Sequence, residues 1–127
     1  MGHSAEDRIF CMSELVLWPD ELDALRAAPE YHTLLLENET VRVLDTCVLP
    51  GQTVPLHTHR WPSMLYIVSW SDFVRRDAVG AVVMDSREKT KLDKGSAVWS
   101  DPLGPHTLEN VGDAELRVIS VEMKSEA

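Results

Sequence analysis

The chain has 127 residues, 44% of them hydrophobic, which suits one folded domain with a real core and excludes a disordered chain. Its formal net charge of -9 and pI of about 4.9 give a surface that repels phosphate backbones, so no nucleic-acid partner is expected. No apolar run reaches the roughly 18–20 residues of a membrane span, so no membrane partner is expected either.

The start, MGHSAEDRIF, lacks the apolar core of a secretory signal, and the expected location is the cytoplasm. Cys11 and Cys47 are far apart and form no C-x-x-C pattern, so both read as reduced thiols. Cys47 sits in an apolar stretch, where a free cysteine behaves as a small hydrophobe. The helical signal is confined to WPDELDALRAAP. Pro19, Asp20 and Glu21 suit a helix start, Leu22 and Leu25 share a face, and Pro29 stops the run. One short helix over residues 19–28 is predicted.

Beyond Pro29 the punctuation is that of short strands and turns. YHTLLLEN and VRVLDTCVL flank the turn-like ENET, and Pro50-Gly51 breaks the chain before a pair of histidines. SMLYIVSW, DFVRR and AVVMDS follow, then the charged run REKTKLDKG, which reads as an exposed turn. SAVWS, HTLEN, a hairpin turn at VGDAE and LRVISVEM complete the chain. The expected fold class is all-β, an antiparallel barrel or jelly roll with one short N-terminal helix. Residues 1–40 form an N-terminal segment with the helix and an edge strand, within the same domain as a barrel over residues 41–123.

The chemistry concentrates in His57 and His59. On a strand, alternate side chains share a face, so the two imidazoles converge. His106, on another expected strand with Leu108 and Asn110 on its face, can bring a third. Imidazole suits Zn, Cu, Fe and Ni.

These residues carry a resemblance to the cupins, whose first motif runs G-x5-H-x-H-x3,4-E-x6-G and whose second runs G-x5-P-x-G-x2-H-x3-N. Here Gly51 is followed after five residues by His57-Thr58-His59. Later come Gly95, Pro102-Leu103-Gly104, His106 and, after three residues, Asn110. The resemblance spans roughly Val41 to Met123 and implies a small β-barrel with a metal held by His57, His59 and His106.

The chain also departs from that pattern. Ser63 or Met64 stands where the family has its glutamate, with Ser63 the better match. The glycine closing the first motif is replaced within SWSDF. The second motif has one extra residue before Pro102 and one fewer between Gly104 and His106. Without the carboxylate, three neutral imidazoles leave a divalent metal at its full charge, which favours an anionic ligand. Three-histidine cupins include thiol dioxygenases and other iron-dependent oxygenases.

The resemblance therefore implies a divalent metal, Fe, Ni, Zn or Mn, and an oxygenase acting on a small organic acid. The alternative is a non-catalytic binding or sensing module that uses the pocket as a cup. Trp61, Ser63, Met64, Tyr66 and Trp99 are candidate pocket residues, and Asn110 is a candidate to support the ligands from behind. Arg42, Arg75 and Arg76 are cations able to grip a carboxylate, with solvent-exposed pairing the plainer reading. Glu109 points opposite His106 on a regular strand. A small-molecule ligand is the expected partner, together with a second copy of the chain, against which Trp18 could pack.

Overall fold

A computed structural model describes residues 18–124, which fold as nine strands in two antiparallel sheets. Cys11 and the start of the N-terminal segment lie outside the described residues. The strands are β1 (His32–Glu37), β2 (Val41–Val48), β3 (Thr53–His59), β4 (Ser63–Ser69) and β5 (Phe73–Asp77). They continue with β6 (Val82–Asp85), β7 (Ala97–Ser100), β8 (Leu103–Asn110) and β9 (Leu116–Met123). One sheet has the order β1-β2-β9-β4-β7 and the other β3-β8-β5-β6. Each sheet keeps its own edges, so the strands form two layers rather than one closed barrel.

The expected helix over 19–28 is broken in two. A single 3-10 turn covers Asp20–Leu22, and α1 covers only Ala24–Ala27. Asp23 interrupts it. Its φ of -54° and ψ of 142° are not helical, and its carboxylate caps α1 by accepting from the Leu25 N–H at 3.1 Å. Asp23 also bridges to Thr58 of β3, which ties the segment to the second sheet.

Strand alternation explains which side chains meet. In the five-stranded sheet, pairing places Arg42, Glu122, Ser63 and Ser100 in one inward rung. Leu44, Ser120, Leu65 and Val98 form the next, then Thr46, Val118 and Ile67, then Val48 and Leu116. The rungs grade from charged to apolar. The core sits at the apolar end, where Ala28, Val48, Val54, Phe73 and Leu116 pack together.

Asn110 closes that end, away from the histidines it was expected to support. Its Nδ2 donates to the Val48 and Ala114 carbonyls at 2.8 and 2.9 Å. Its Oδ1 accepts from Ser71 Oγ at 2.8 Å and Gly112 N at 3.0 Å. Two donors and two acceptor sites are thus all used. The chain can approach so closely because residue 112 is glycine, where a Cβ would lie 2.2 Å from Ser71 Oγ. Asn110→Ala should therefore cost about 2 kcal/mol or more, because it leaves several buried partners unmatched. Urea unfolding of the variant beside wild type measures this, and an unchanged midpoint would contradict the assignment.

Candidate metal centre

The two sheets face each other across a cavity of about 390 Å³ lined by residues of both. Four histidines meet in its wall: His32 from β1, His57 and His59 from β3, and His106 from β8. The ladder places His57 directly opposite His106, with ring centroids 4.3 Å apart. His59 is 5.0 Å from His57 and 5.9 Å from His106. His32 enters from the other sheet, 5.0 Å from His57 and 5.3 Å from His59.

Ligand nitrogens of His32, His57 and His59 lie within 4.8 Å of one another, and His106 flanks this trio beside His57. Residue His32 was not among the sequence candidates. It stands alone in YHTLLLEN, and only its place at the inner start of a strand hints at a buried role.

Every ring is fixed in the same sense. Nδ1 of His32 donates to the Ala28 carbonyl at 2.9 Å. Nδ1 of His57 donates to the Pro55 carbonyl and Nδ1 of His106 to the Gly104 carbonyl, each at 2.7 Å. Nδ1 of His59 donates to Glu122 Oε2 at 2.9 Å. An oxygen acceptor requires the proton on Nδ1, so in the neutral form each ring has its free lone pair on Nε2. The β3–β8 ladder shifts register between Val54 and His57, around Pro55, which has no N–H to give it.

Glu122 is fully buried and is the second functional residue that the sequence reading missed. Its Oε1 accepts from Arg42 Nε at 2.6 Å while its Oε2 holds His59. Arg42 in turn makes a two-pronged contact with Asp23, at 2.9 and 3.0 Å. Arg42 is thus buried in a structural chain of charge rather than paired at the surface. Alternation along LRVISVEM, with Leu116, Val118 and Ser120 on the face of Glu122, was the available signal.

Burial would raise the Glu122 carboxyl, but its hydrogen bonds from His59 and Arg42 and the Arg42 charge hold it below the usual range. Ser63, at the family's glutamate position, lies opposite Glu122 and is itself buried. A carboxylate therefore returns one strand away, behind His59 rather than in the ligand set.

The remaining candidates separate by strand face. Ser63 lines the cavity and Trp99 borders it while remaining 58% exposed. Met64 and Tyr66 alternate with Ser63 and Leu65, so they lie on the outer face, paired with Val121 and Ile119 of β9. Trp61 also stands outside the cavity, under the cations of Arg42, Arg60 and Lys124. Trp18 packs on Gly104 of its own chain, where an added Cβ would meet its ring at 3.1 Å. Arg76 pairs with Glu109 at 2.9 Å, away from the histidines. Cys47 donates to Glu115 at 3.2 Å.

No family model matches the chain, and no curated protein matches it. Solved structures do. A cupin domain from Bordetella pertussis aligns over 74% of this chain and 92% of its own, with a TM-score of 0.61 and 20% identity. A double-stranded β-helix protein from Klebsiella pneumoniae aligns over 76% and 77%, with a TM-score of 0.52 and 22% identity. An RmlC-like cupin from Methanocaldococcus jannaschii gives 0.52 and 14% identity over 72% and 77%. The fold is that of the small cupins. Three close histidines in such a fold are compatible with a metal ion.

Burial, reinforced by neighbouring rings, pushes His32 down to about 4 and His57 to about 2. Burial likewise lowers His106 to about 3. In the metal-free protein these rings stay neutral while the unfolded chain titrates near 6.5. Above about pH 6.5 neither state binds the protons. Below it only the unfolded state does, so stability falls with pH, by up to about 1.4 kcal/mol per pH unit for each such histidine. Glu122, lowered from 4.5, adds its loss only at more acidic pH. Urea unfolding of chelator-treated protein between pH 7.5 and 5 should show this slope, and His57→Gln should reduce it. A flat profile would contradict the assignment.

Proposed function

We propose that this cupin-fold protein binds one divalent metal through His57, His59, His106 and His32, and acts as an oxygenase on a small organic molecule. The observation that carries the reading is the common orientation of the four rings, each with Nδ1 tied to oxygen and Nε2 left free. Such ties behind the ligands orient them and raise their basicity. Neutral imidazoles suit Fe, Ni, Zn or Mn, and buried rings that resist protonation are already in the ligating form. When bound, the ion would supply Lewis acidity and, if redox-active, electrons for oxygen chemistry.

The chain's own residues do the rest. Glu122 holds the proton of His59 and offsets part of the metal's charge through it. Ser63 leaves room where a ligating carboxylate would have stood. Leu65, Ile67, Leu116 and Val118 give the cavity an apolar wall that limits water. The same wall favours the second reading, a non-catalytic cup that only binds its ligand.

Elemental analysis of protein purified without a metal-affinity tag tests occupancy. Melting with added Fe, Ni, Zn and Mn tests affinity. Metal at 100 times its dissociation constant should stabilise the fold by about 2.7 kcal/mol. His57→Ala, His59→Ala and His32→Ala should each lose most of that gain. If no metal raises the melting point, or the variants respond as wild type does, the cup reading replaces the metal reading. Oxygen uptake with candidate substrates separates turnover from binding.

The reading also includes a cytoplasmic homodimer. Across the outer face of the five-stranded sheet, Leu36, Val43, Val121, Met64 and Trp99 form one apolar rung through all five strands. Leu36 and Trp99 are 51% and 58% exposed in the single chain, and Tyr66 on the neighbouring rung is 43% exposed. A second copy laid on this face would remove it from water. Sedimentation should show a dimer for wild type and a monomer for Met64→Glu. A wild-type monomer at tens of micromolar would refute this part.

A further inference from the structure

We propose that the cavity selects a small monocarboxylic acid with an apolar body, and that Arg75 is the residue that binds its carboxylate. The inference takes the cavity from the functional reading above but does not need the metal.

Arg75 lies on β5, opposite Leu108 of β8 and on the same sheet face as His106 and Phe73. Strand alternation therefore aims it inward, and it lines the cavity. A guanidinium so placed is costly without a partner. Of the other described arginines, Arg26 is exposed and the remaining five show how this chain meets that cost. Arg42 has Asp23 and Glu122, Arg60 has Asp20, Arg76 has Glu109, Arg87 has Asp85 and Arg117 has Asp45.

Arg75 has no such carboxylate among the described residues. Among the described residues its buried Nε lacks any hydrogen-bond partner, and its guanidinium carbon lies 5.7 Å from the centre of the Phe73 ring. Burial pushes its pKa down, with no acidic neighbour opposing it. Arginine nevertheless stays charged in proteins. Among the described residues, the cavity thus holds one desolvated positive charge without a counter-ion.

The rest of the lining agrees with that sign. Trp70 Nε1, a donor only, and Ser120 Oγ are also buried, unpartnered and on the cavity wall. The sole carboxylate among the described residues of the wall, Asp101, is exposed. The histidine lone pairs are those the metal would take. Apart from the hydroxyls of Thr46, Ser63 and Ser100, the remaining wall is aliphatic or aromatic. A single guanidinium matches a singly charged carboxylate, which its planar fork can hold through two parallel hydrogen bonds. A volume of about 390 Å³ fits a molecule of benzoate or hexanoate size.

The test uses the full chain as wild type, Arg75→Gln and Arg75→Lys, each chelator-treated and Zn-loaded. Calorimetry compares benzoate and hexanoate with benzyl alcohol and hexanol, and with inorganic phosphate. Zn uptake is measured separately for all three proteins. Both acids should bind wild type with or without Zn, and the neutral analogues at least about tenfold more weakly. Arg75→Gln should lose about tenfold or more in acid affinity, Arg75→Lys should fall between, and Zn uptake should not change in either. Should Arg75→Gln fail to fold by circular dichroism, Arg75→Lys decides: it keeps the charge, loses the fork, and must bind the acids more weakly. Wild type binding no acid, alcohols binding as well as acids, phosphate binding better, or variants binding acids as wild type does would each overturn the proposal. Acid binding without Zn uptake counts against zinc at the histidines and leaves this proposal standing, and Zn uptake without acid binding sinks this one alone.

Discussion

The hydrogen bond from Arg42 to Glu122 is the constraint on which the site rests. Both groups are buried at the charged end of the five-stranded sheet, facing each other across β2 and β9. Two charges removed from water are stable only if each is fully matched. Arg42 therefore needs Asp23 as well, which draws the N-terminal helical segment onto the sheet. Glu122 needs a second donor, and His59 from the opposite sheet provides it. One chain of charge thus joins α1, β2, β9 and β3, and sets the orientation of a ring at the centre of the site.

The other three rings obey the same logic with weaker partners. A buried imidazole has two nitrogens, and leaving one unmatched in an apolar wall carries a penalty. The backbone carbonyls of Ala28, Pro55 and Gly104 satisfy Nδ1 in each case. Two of them come from strands containing proline, Pro55 in β3 and Pro105 in β8. What remains on each ring is the nitrogen that can bind a metal, already neutral because burial opposes protonation. Structure and ligation chemistry thus follow from the same hydrogen bonds.

The cavity then has two polar poles in an apolar wall. The histidine cluster is one, with its Nε2 atoms turned away from the oxygens that hold Nδ1. Arg75 is the other, charged and without a carboxylate partner. A wall of this kind discriminates by charge as well as by size, since a ligand matching only one pole leaves the other unmatched.

Much of this was legible in the sequence. Strand periodicity, turn residues and the spacing around His57, His59 and His106 indicated a β fold of the cupin kind, because those signals are local and repeat every two residues. The predicted helix over 19–28 is too long because Asp23 leaves helical geometry to cap α1 and pair with Arg42. Met64 and Tyr66 were placed in the pocket because they follow the histidines closely. Alternation from the inward Ser63 turns them outward, and that register is decided by pairing with β9. His32 and Glu122 escaped notice for a related reason. Each stands alone in its strand, near one end of the described chain, and meets the site only when β1 and β9 join the sheet. The sequence by itself determined the strand content and three of the four rings, since these depend on neighbours along the chain. The fourth ring, the carboxylate behind His59 and the inward place of the Arg75 guanidinium were decided by tertiary structure alone, because burial and pairing between distant strands have no local trace.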